Sequence, residues 1–132
     1  MSGKPLPRLH LTVMSGPADG QRLELVPAGL PPSVSIGRST DNAIVLTEDP
    51  DVSRRHARIV WLDQTWTLED RGSTNGTYVG EFGRAERVHD SLPIAAGQIF
   101  RVGLTRFRLE DSEESSRVQV DIARAKRIPD RY

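Results

Sequence analysis

The sequence predicts an all-β sandwich, and three observations lead to that prediction. Apolar residues alternate with polar ones over short stretches, which is the period of a strand with one buried face. Turn-forming residues separate these stretches, since 11 glycines and 9 prolines are spread along the 132 residues. No part of the first 110 residues sustains the helical period of 3.6 residues. We therefore predict roughly ten or eleven short strands packed as a sandwich.

Four strands are predicted in the first half of the chain. The clearest spans 9–13, where leucine or valine at positions 9, 11 and 13 alternates with the residues between them. Shorter strands are expected at 23–26, 34–36 and 44–46. Segments that contain glycine or proline separate them and are typical of turns and loops, at 16–20, 27–32 and 47–51.

The second half of the chain contains two predicted hairpins. Alternation over 57–62 and again at 66–68, with Asp63-Gln64 between them, indicates two strands joined by a tight turn. The second hairpin is expected from 99–102 and 107–109, around Gly103-Leu104-Thr105. A brief strand is also expected at 77–79.

Composition divides the chain into three parts. Residues 1–8 hold two prolines, a glycine and two cations, and are predicted to be a flexible lead-in. The predicted domain covers 9–110. In 111–132 acidic residues come first and basic residues later, an order favourable to a helix dipole, so we predict a charged tail or linker that can form a helix when docked.

Bulk composition disfavours several classes of function. The chain has no cysteine, which excludes disulfides and thiolate metal sites, and its three histidines lack the paired spacing of a zinc site. With 18 basic and 18 acidic side chains, the net charge of zero disfavours general nucleic-acid binding. No apolar run approaches the ~20 residues that span a bilayer, and the first residues lack a signal peptide's apolar core. We expect a cytoplasmic protein without cofactor, metal or membrane contact.

Three polar runs between predicted strands carry the chemistry. They are Gly37-Arg38-Ser39, Ser53-Arg54-Arg55-His56 and Gly72-Ser73-Thr74-Asn75-Gly76-Thr77. Together they offer guanidinium groups, hydroxyls and an amide, which are the groups needed to hold a phosphate and the peptide around it. Taken alone, the first run also fits a surface turn with a solvated arginine, and the third run fits an Asn-Gly hairpin turn without a ligand. We expect Gly37 to bend the chain through its tolerance of positive φ.

The second run leaves two arrangements open. A regular strand would put Ser53 and Arg54 on opposite sides, whereas a loop would let both reach one ligand. For His56 we favour a buried imidazole that braces neighbouring loops through both ring nitrogens. A hydrolase triad of Ser53, His56 and Asp70 is the rival interpretation. It is disfavoured because the sequence has no strand-to-helix nucleophile elbow, so we predict that the protein is not an enzyme.

The ordered set of runs resembles the forkhead-associated (FHA) domain family. The resemblance covers about 9–110 and includes Thr77-Tyr78-Val79, the segment Ile94-Ala95-Ala96-Gly97-Gln98-Ile99, and Val102-Gly103. It implies an eleven-stranded FHA/SMAD-like β-sandwich that binds phosphothreonine peptides, without catalysis, through loops at one end. The implied phosphate-binding residues are Arg38, Ser39, Ser53, Arg54 and Thr74. Asn75 would bind the peptide backbone, and the residues implied to shape the loops are Gly37, His56 and Gly76.

The resemblance also implies a signalling role. The expected partner is a phosphothreonine-containing protein acting in trans, the substrate of a Ser/Thr kinase, because neither 1–8 nor 111–132 contains a threonine. The alternative is a scaffold or assembly domain that keeps the fold but binds independently of phosphate. The preference for the third residue after the phosphothreonine stays open. Asp51 stands where some relatives carry an arginine, and Arg71 and Arg84 are the other candidate determinants.

Overall fold

The computed structural model describes residues 7–81 and 83–111, and these residues form eleven strands and no helix. No segment in those two ranges could therefore cross a bilayer as a helix. The strands are β1 Leu9–Val13, β2 Arg22–Leu25, β3 Ser33–Gly37, β4 Ile44–Val45, β5 Ala57–Leu62, β6 Thr65–Asp70, β7 Thr77–Val79, β8 Glu86–Arg87, β9 Ser91–Ile94, β10 Ile99–Val102 and β11 Thr105–Glu110.

The strands make two sheets that face each other. One has six strands in the order β2-β1-β11-β10-β7-β8, and the other has five in the order β4-β3-β5-β6-β9. The paired strands run antiparallel, except that β3 and β4 are parallel. The predicted all-β sandwich is confirmed. The predicted lead-in, 1–8, and the predicted tail, 111–132, lie outside the described residues except for positions 7, 8 and 111.

The core consists of the inward side chains of both sheets. Phe100 on β10 and Phe107 on β11 are paired in register and stack with ring centroids 5.3 Å apart. Both are almost completely buried, as are Leu9 and Leu11 on β1 and Ile59 on β5. Strand alternation therefore produced the two apolar faces that the sequence pattern indicated.

The predicted hairpins form, but two edge strands carry little sequence signal. β5 and β6 pair over six residues, and Asp63 and Gln64 both adopt positive φ in the turn between them. β8 has only two exposed residues and thus no alternation to detect. β9 contains Pro93, which is tolerated because β9 lies at a sheet edge. Neither strand was located individually from the sequence.

Three loops meet at one end of the sandwich. Ile36 pairs with Ala57, and Ala57 pairs with Asp70, so β3 and β6 end where β5 begins. The loops 38–43, 46–56 and 71–76 therefore leave the sheets together. β6 and β7 belong to different sheets. The Asn-Gly pair at 75–76 accordingly lies in a loop that crosses between sheets, and the hairpin alternative is wrong.

Candidate functional site

Gly37 allows two loops to approach each other closely. It is buried at the end of β3, and its φ is not positive. A Cβ built there would overlap the carbonyl oxygen of Arg54 and lie 2.7 Å from Nδ2 of Asn42. The expectation that Gly37 serves through positive φ is therefore wrong, because the structure requires glycine for space.

Backbone hydrogen bonds join the loops 38–43 and 46–56. The amide of Arg38 donates to the carbonyl of Ser53 at 3.0 Å, and that of Ser39 donates to the carbonyl of Arg54 at 3.2 Å. Nδ2 of Asn42 adds bonds to the carbonyls of Ser39 and Arg54, each 2.8 Å long. Residues 53–56 precede β5, so the loop alternative for this run is the one that forms.

The side chains of Arg38 and Ser53 lie on this joined segment. Arg38 is exposed, and its Nε donates to the carbonyl of Val52 at 3.0 Å, which places the guanidinium beside the peptide bond that joins Val52 to Ser53. Oγ of Ser53 accepts a 3.2 Å hydrogen bond from the amide of Thr74 in the third loop. The hydroxyl proton of Ser53 can still be donated to a ligand. The side chains of Arg54 and Thr74 are exposed.

His56 holds the second and third loops together from inside. It is completely buried. Its Nδ1 accepts a 3.0 Å hydrogen bond from the amide of Ser53, so the ring proton lies on Nε2, which donates to the carbonyl of Gly76 at 2.8 Å. Both ring nitrogens thus contact backbone groups and not the hydroxyl of Ser53 or the carboxylate of Asp70. The three residues do not form a catalytic triad.

Asp70 anchors the loop 71–76. Its carboxylate accepts hydrogen bonds from the hydroxyls of Ser73 at 2.6 Å and Thr77 at 2.7 Å, and from the amides of Gly72 and Ser73. Partial burial is the largest single influence on the pKa of Asp70 and acts to raise it. The hydrogen bonds from Ser73, Thr77 and the two amides together outweigh burial, so the pKa of Asp70 lies below its ordinary value.

Asn75 and Gly76 complete the third loop. Nδ2 of Asn75 donates to the carbonyl of Asp51 at 3.1 Å, which leaves its side-chain oxygen to accept from a ligand. Gly76 has a φ of 92°, and a Cβ there would lie 3.0 Å from the ring of Tyr78. Gly76 therefore meets two requirements at once, a left-handed backbone and close packing.

The hydroxyl of Ser39 is less available to a ligand than that of Ser53. The Ser39 hydroxyl lies near the carboxylate of Asp41 and lowers the pKa of that group, and the carboxylate also forms a 2.8 Å ion pair with Arg55. The hydroxyl of Ser39 first, and the charge of Arg55 second, hold the pKa of Asp41 below its ordinary value. Arg55 is exposed and paired with this acid.

The structure brings most of the sequence-derived residues to one place. The three runs meet at one end, and Arg71 belongs to the loop between β6 and β7. Arg84 does not join them, because it lies in the segment between β7 and β8 at the opposite end of these strands.

Two residues that position the loops had no signal in the sequence. Asn42 resembles any polar loop residue. Asp49 is buried and accepts hydrogen bonds from the amide of Leu104 and the hydroxyl of Thr105. Only contacts between segments distant in the chain reveal what they do.

Comparison with known proteins identifies the family. The model of the FHA domain matches residues 34–103, which is more than half of the chain. FhaB, an FHA domain-containing protein of Mycobacterium tuberculosis (strain ATCC 25618 / H37Rv), is 36% identical over 100 residues, covering 76% of this chain and 59% of FhaB. The chain thus matches less than two thirds of that relative's length.

Solved structures agree with this assignment. A chain from a structural and functional analysis of phosphothreonine-dependent FHA domain interactions has a TM-score of 0.63 and 32% identity, covering 79% of this chain and 96% of that one. The FHA domain of FhaA, complexed with the intracellular domain of Rv3910, has a TM-score of 0.61 and 32% identity, covering 77% and 99%. With the sandwich, the three joined loops and the family match all in agreement, the chain belongs to the FHA domain family.

Proposed function

We propose that this protein is a non-catalytic module that binds phosphothreonine-containing proteins in Ser/Thr kinase signalling. One observation carries the proposal: the amide of Thr74 donates to Oγ of Ser53, while Arg38 bonds the carbonyl next to that serine. The guanidinium of Arg38, the hydroxyl of Ser53 and residue Thr74, one from each of three loops, therefore lie beside one another. This set matches a dianionic phosphate, which accepts several charge-assisted hydrogen bonds.

The phosphate is held by groups whose positions are already set. In our proposal Arg38 and Arg54 supply charge, and Ser53 and Thr74 supply hydroxyl donors. Ser39 contributes only if its hydroxyl turns away from Asp41. Each charge-assisted bond contributes about 1.5–3 kcal/mol. Because the loops are tied together by backbone bonds and by His56, little ordering of the protein is needed when the ligand binds.

The peptide around the phosphothreonine is held through its backbone. The side-chain oxygen of Asn75 accepts from a peptide N–H, and the bond from its Nδ2 to Asp51 keeps that oxygen oriented. Gly37, His56 and Gly76 shape the loops without touching the ligand. Ordering a flexible peptide costs several kcal/mol. We therefore expect a micromolar dissociation constant, which corresponds to a binding free energy of about 8 kcal/mol.

The partner in this proposal is a kinase substrate in the cytoplasm, bound in trans. Two relatives support it, one studied for phosphothreonine-dependent interactions and one complexed with the intracellular domain of another protein. Catalysis has no part in the proposal, since both nitrogens of His56 are bonded to backbone groups and are not available as a general base.

Phosphopeptide titration of matched variants tests the proposal. A phosphothreonine peptide library, screened with and without phosphatase treatment, supplies a ligand for calorimetry. We expect Arg38→Ala and Ser53→Ala to abolish measurable binding while circular dichroism shows an intact fold. Arg8→Ala, which removes an exposed arginine paired with Glu24, is the control and should bind like wild type. Equal affinity for phosphorylated and bare peptide would contradict the proposal and favour the phosphate-independent scaffold.

A further inference from the structure

A row of three arginines and one tyrosine crosses the exposed face of the six-stranded sheet. Arg106 on β11 pairs in register with Arg101 on β10. Arg101 in turn pairs with Tyr78 on β7, which pairs with Arg87 on β8. Residues directly opposite each other share a face of a sheet. Because the neighbouring residues Phe100, Val102 and Phe107 are buried, these four face outward. We call them the basic row.

The basic row has no acidic partner within the described part of the chain. The guanidinium of Arg101 lies 4.3 Å from the ring centroid of Tyr78 and donates to the carbonyl of Gly103, while Arg106 reaches the carbonyl of Met14. The ion pairs in that part of the chain involve other residues: Arg8–Glu24, Arg55–Asp41, Arg58–Glu69 and Arg108–Glu110. Like charges directly opposite each other weaken a sheet, so an external anion would relieve the repulsion between Arg101 and Arg106.

The basic row begins at the candidate site. A Cβ built on Gly76 would lie 3.1 Å from the hydroxyl of Tyr78 and 3.2 Å from Nε of Arg87. Gly76 directly follows Asn75, so the row starts against the loop that is proposed to hold the peptide backbone. From Arg87 to Arg106 the row crosses three strand spacings, or about 14 Å. An extended peptide of roughly four residues has this length.

We propose that the basic row extends the peptide interface and binds carboxylates of an acidic segment in the same phosphorylated partner. This inference rests on the proposed function and deepens it. Arginine forks match carboxylates in pairs. A peptide held at Asn75 brings its flanking residues to the row at high effective concentration. The chain's net charge of zero makes a nucleic-acid ligand the less favoured occupant.

The test compares phosphothreonine peptides that differ only in one flank. A run of glutamates stands before or after the phosphothreonine, and glutamines replace it in the matched neutral peptides. We expect the wild-type chain of 132 residues to bind one acidic peptide about fivefold tighter than its neutral match, the effect of one or two partly exposed charge contacts. This gain should shrink as salt concentration rises.

Variants test whether the basic row causes the higher affinity for the acidic peptide. Arg101→Gln and Arg106→Gln should each lose most of the gain, while Arg8→Gln, which removes the same charge near the opposite end of the sheet, should keep it. Equal affinity of wild type for acidic and neutral phosphopeptides would overturn the inference, as would a gain that survives both variants. Row-dependent binding of a random oligonucleotide that exceeds the binding of the acidic phosphopeptide would also overturn it. If wild type does not bind the neutral phosphopeptide, and Arg38→Ala gives the same result as wild type, the proposed function is rejected instead.

Discussion

Gly37 and Asp70 show how single residues determine the geometry of this site without contacting a ligand. Gly37 has no Cβ, so the loop that carries Arg54 can lie directly against β3. Asp70 accepts hydrogen bonds from two amides and one hydroxyl of the third loop, and from the hydroxyl of Thr77 at the start of β7, on one carboxylate. Both residues act through the backbone positions of their neighbours, so changing them should alter stability as well as binding.

Replacing Gly37 with alanine should destabilise the fold by about 2–3 kcal/mol, the cost of forcing a methyl group into packed structure. Phosphopeptide affinity should also fall, because the methyl group displaces Arg54 and Asn42. Urea unfolding and calorimetric titration measure the two effects. Thr40→Ala, at an exposed position in the next loop, should change stability by no more than about 0.5 kcal/mol. A Gly37→Ala protein as stable as wild type would show that the close approach is unimportant.

The contribution of Asp70 to stability should depend on pH. Its folded-state pKa lies below the ordinary value of 3.8, so the ionised form stabilises the fold above that pH, and the stabilisation is lost as pH falls through the lower folded-state pKa. Asp70→Asn should therefore cost roughly 1–3 kcal/mol near neutral pH, because its hydrogen bonds lose their charge. In acid the difference from wild type should narrow.

Denaturant unfolding of wild type and Asp70→Asn across this pH range measures that difference. The pKa values of Asp41 and Glu110 are also lowered. Their titration affects both proteins equally, so it cancels when the free energies of unfolding of the two proteins are subtracted. A gap that stays constant from neutral pH into acid would contradict the assignment.

At the scale of elements, the hairpin β5–β6 shows a turn whose second residue, Gln64, is unfavourable for its conformation. Asp63 and Gln64 have φ values of 50° and 62°, the pattern of a two-residue turn that favours Asn-Gly. The six-residue pairing of β5 with β6 imposes this conformation. Alternating side chains predicted the hairpin, but the strain in its turn follows from the strand twist and was not visible in the sequence.

Replacing Gln64 with glycine should stabilise the protein by about 0.5–1 kcal/mol, because relief of the left-handed conformation exceeds the added entropy of the unfolded chain. Gln64→Ala keeps the Cβ and should show no such gain. Urea unfolding of the two variants makes the comparison. Phosphopeptide affinity should not change, because this turn lies at the opposite end of β5 from His56. Lower stability of Gln64→Gly would contradict the argument.

At the scale of the whole molecule, the candidate site exists only in the folded state. Its three loops come from β3, β5, β6 and β7, which lie in two different sheets. An unfolded chain cannot hold Arg38, Ser53 and Asn75 together. A ligand of this site therefore binds only the folded protein and not the unfolded chain. Ligand binding and global stability are therefore linked.

A phosphothreonine peptide at a hundred times its dissociation constant should stabilise the folded protein by about 2.7 kcal/mol. For a domain of this size that corresponds to a rise in melting temperature of roughly 10 °C. Differential scanning calorimetry should show the rise with the phosphopeptide and none with the bare peptide. Ser53→Ala, scanned with the same phosphopeptide, should show none either. A rise of the same size in Ser53→Ala would place the binding elsewhere.

Local sequence patterns are enough to predict the fold class and most residues of the candidate site. Strand alternation, turn residues and three polar runs are local patterns, and local patterns follow from the backbone's own geometry. How those residues are held follows only from the folded chain: why position 37 must be glycine, what Asn42 and Asp49 contact, and which arginines face one another across the sheet. These depend on strand register and on contacts between segments far apart in the chain, which no local period encodes.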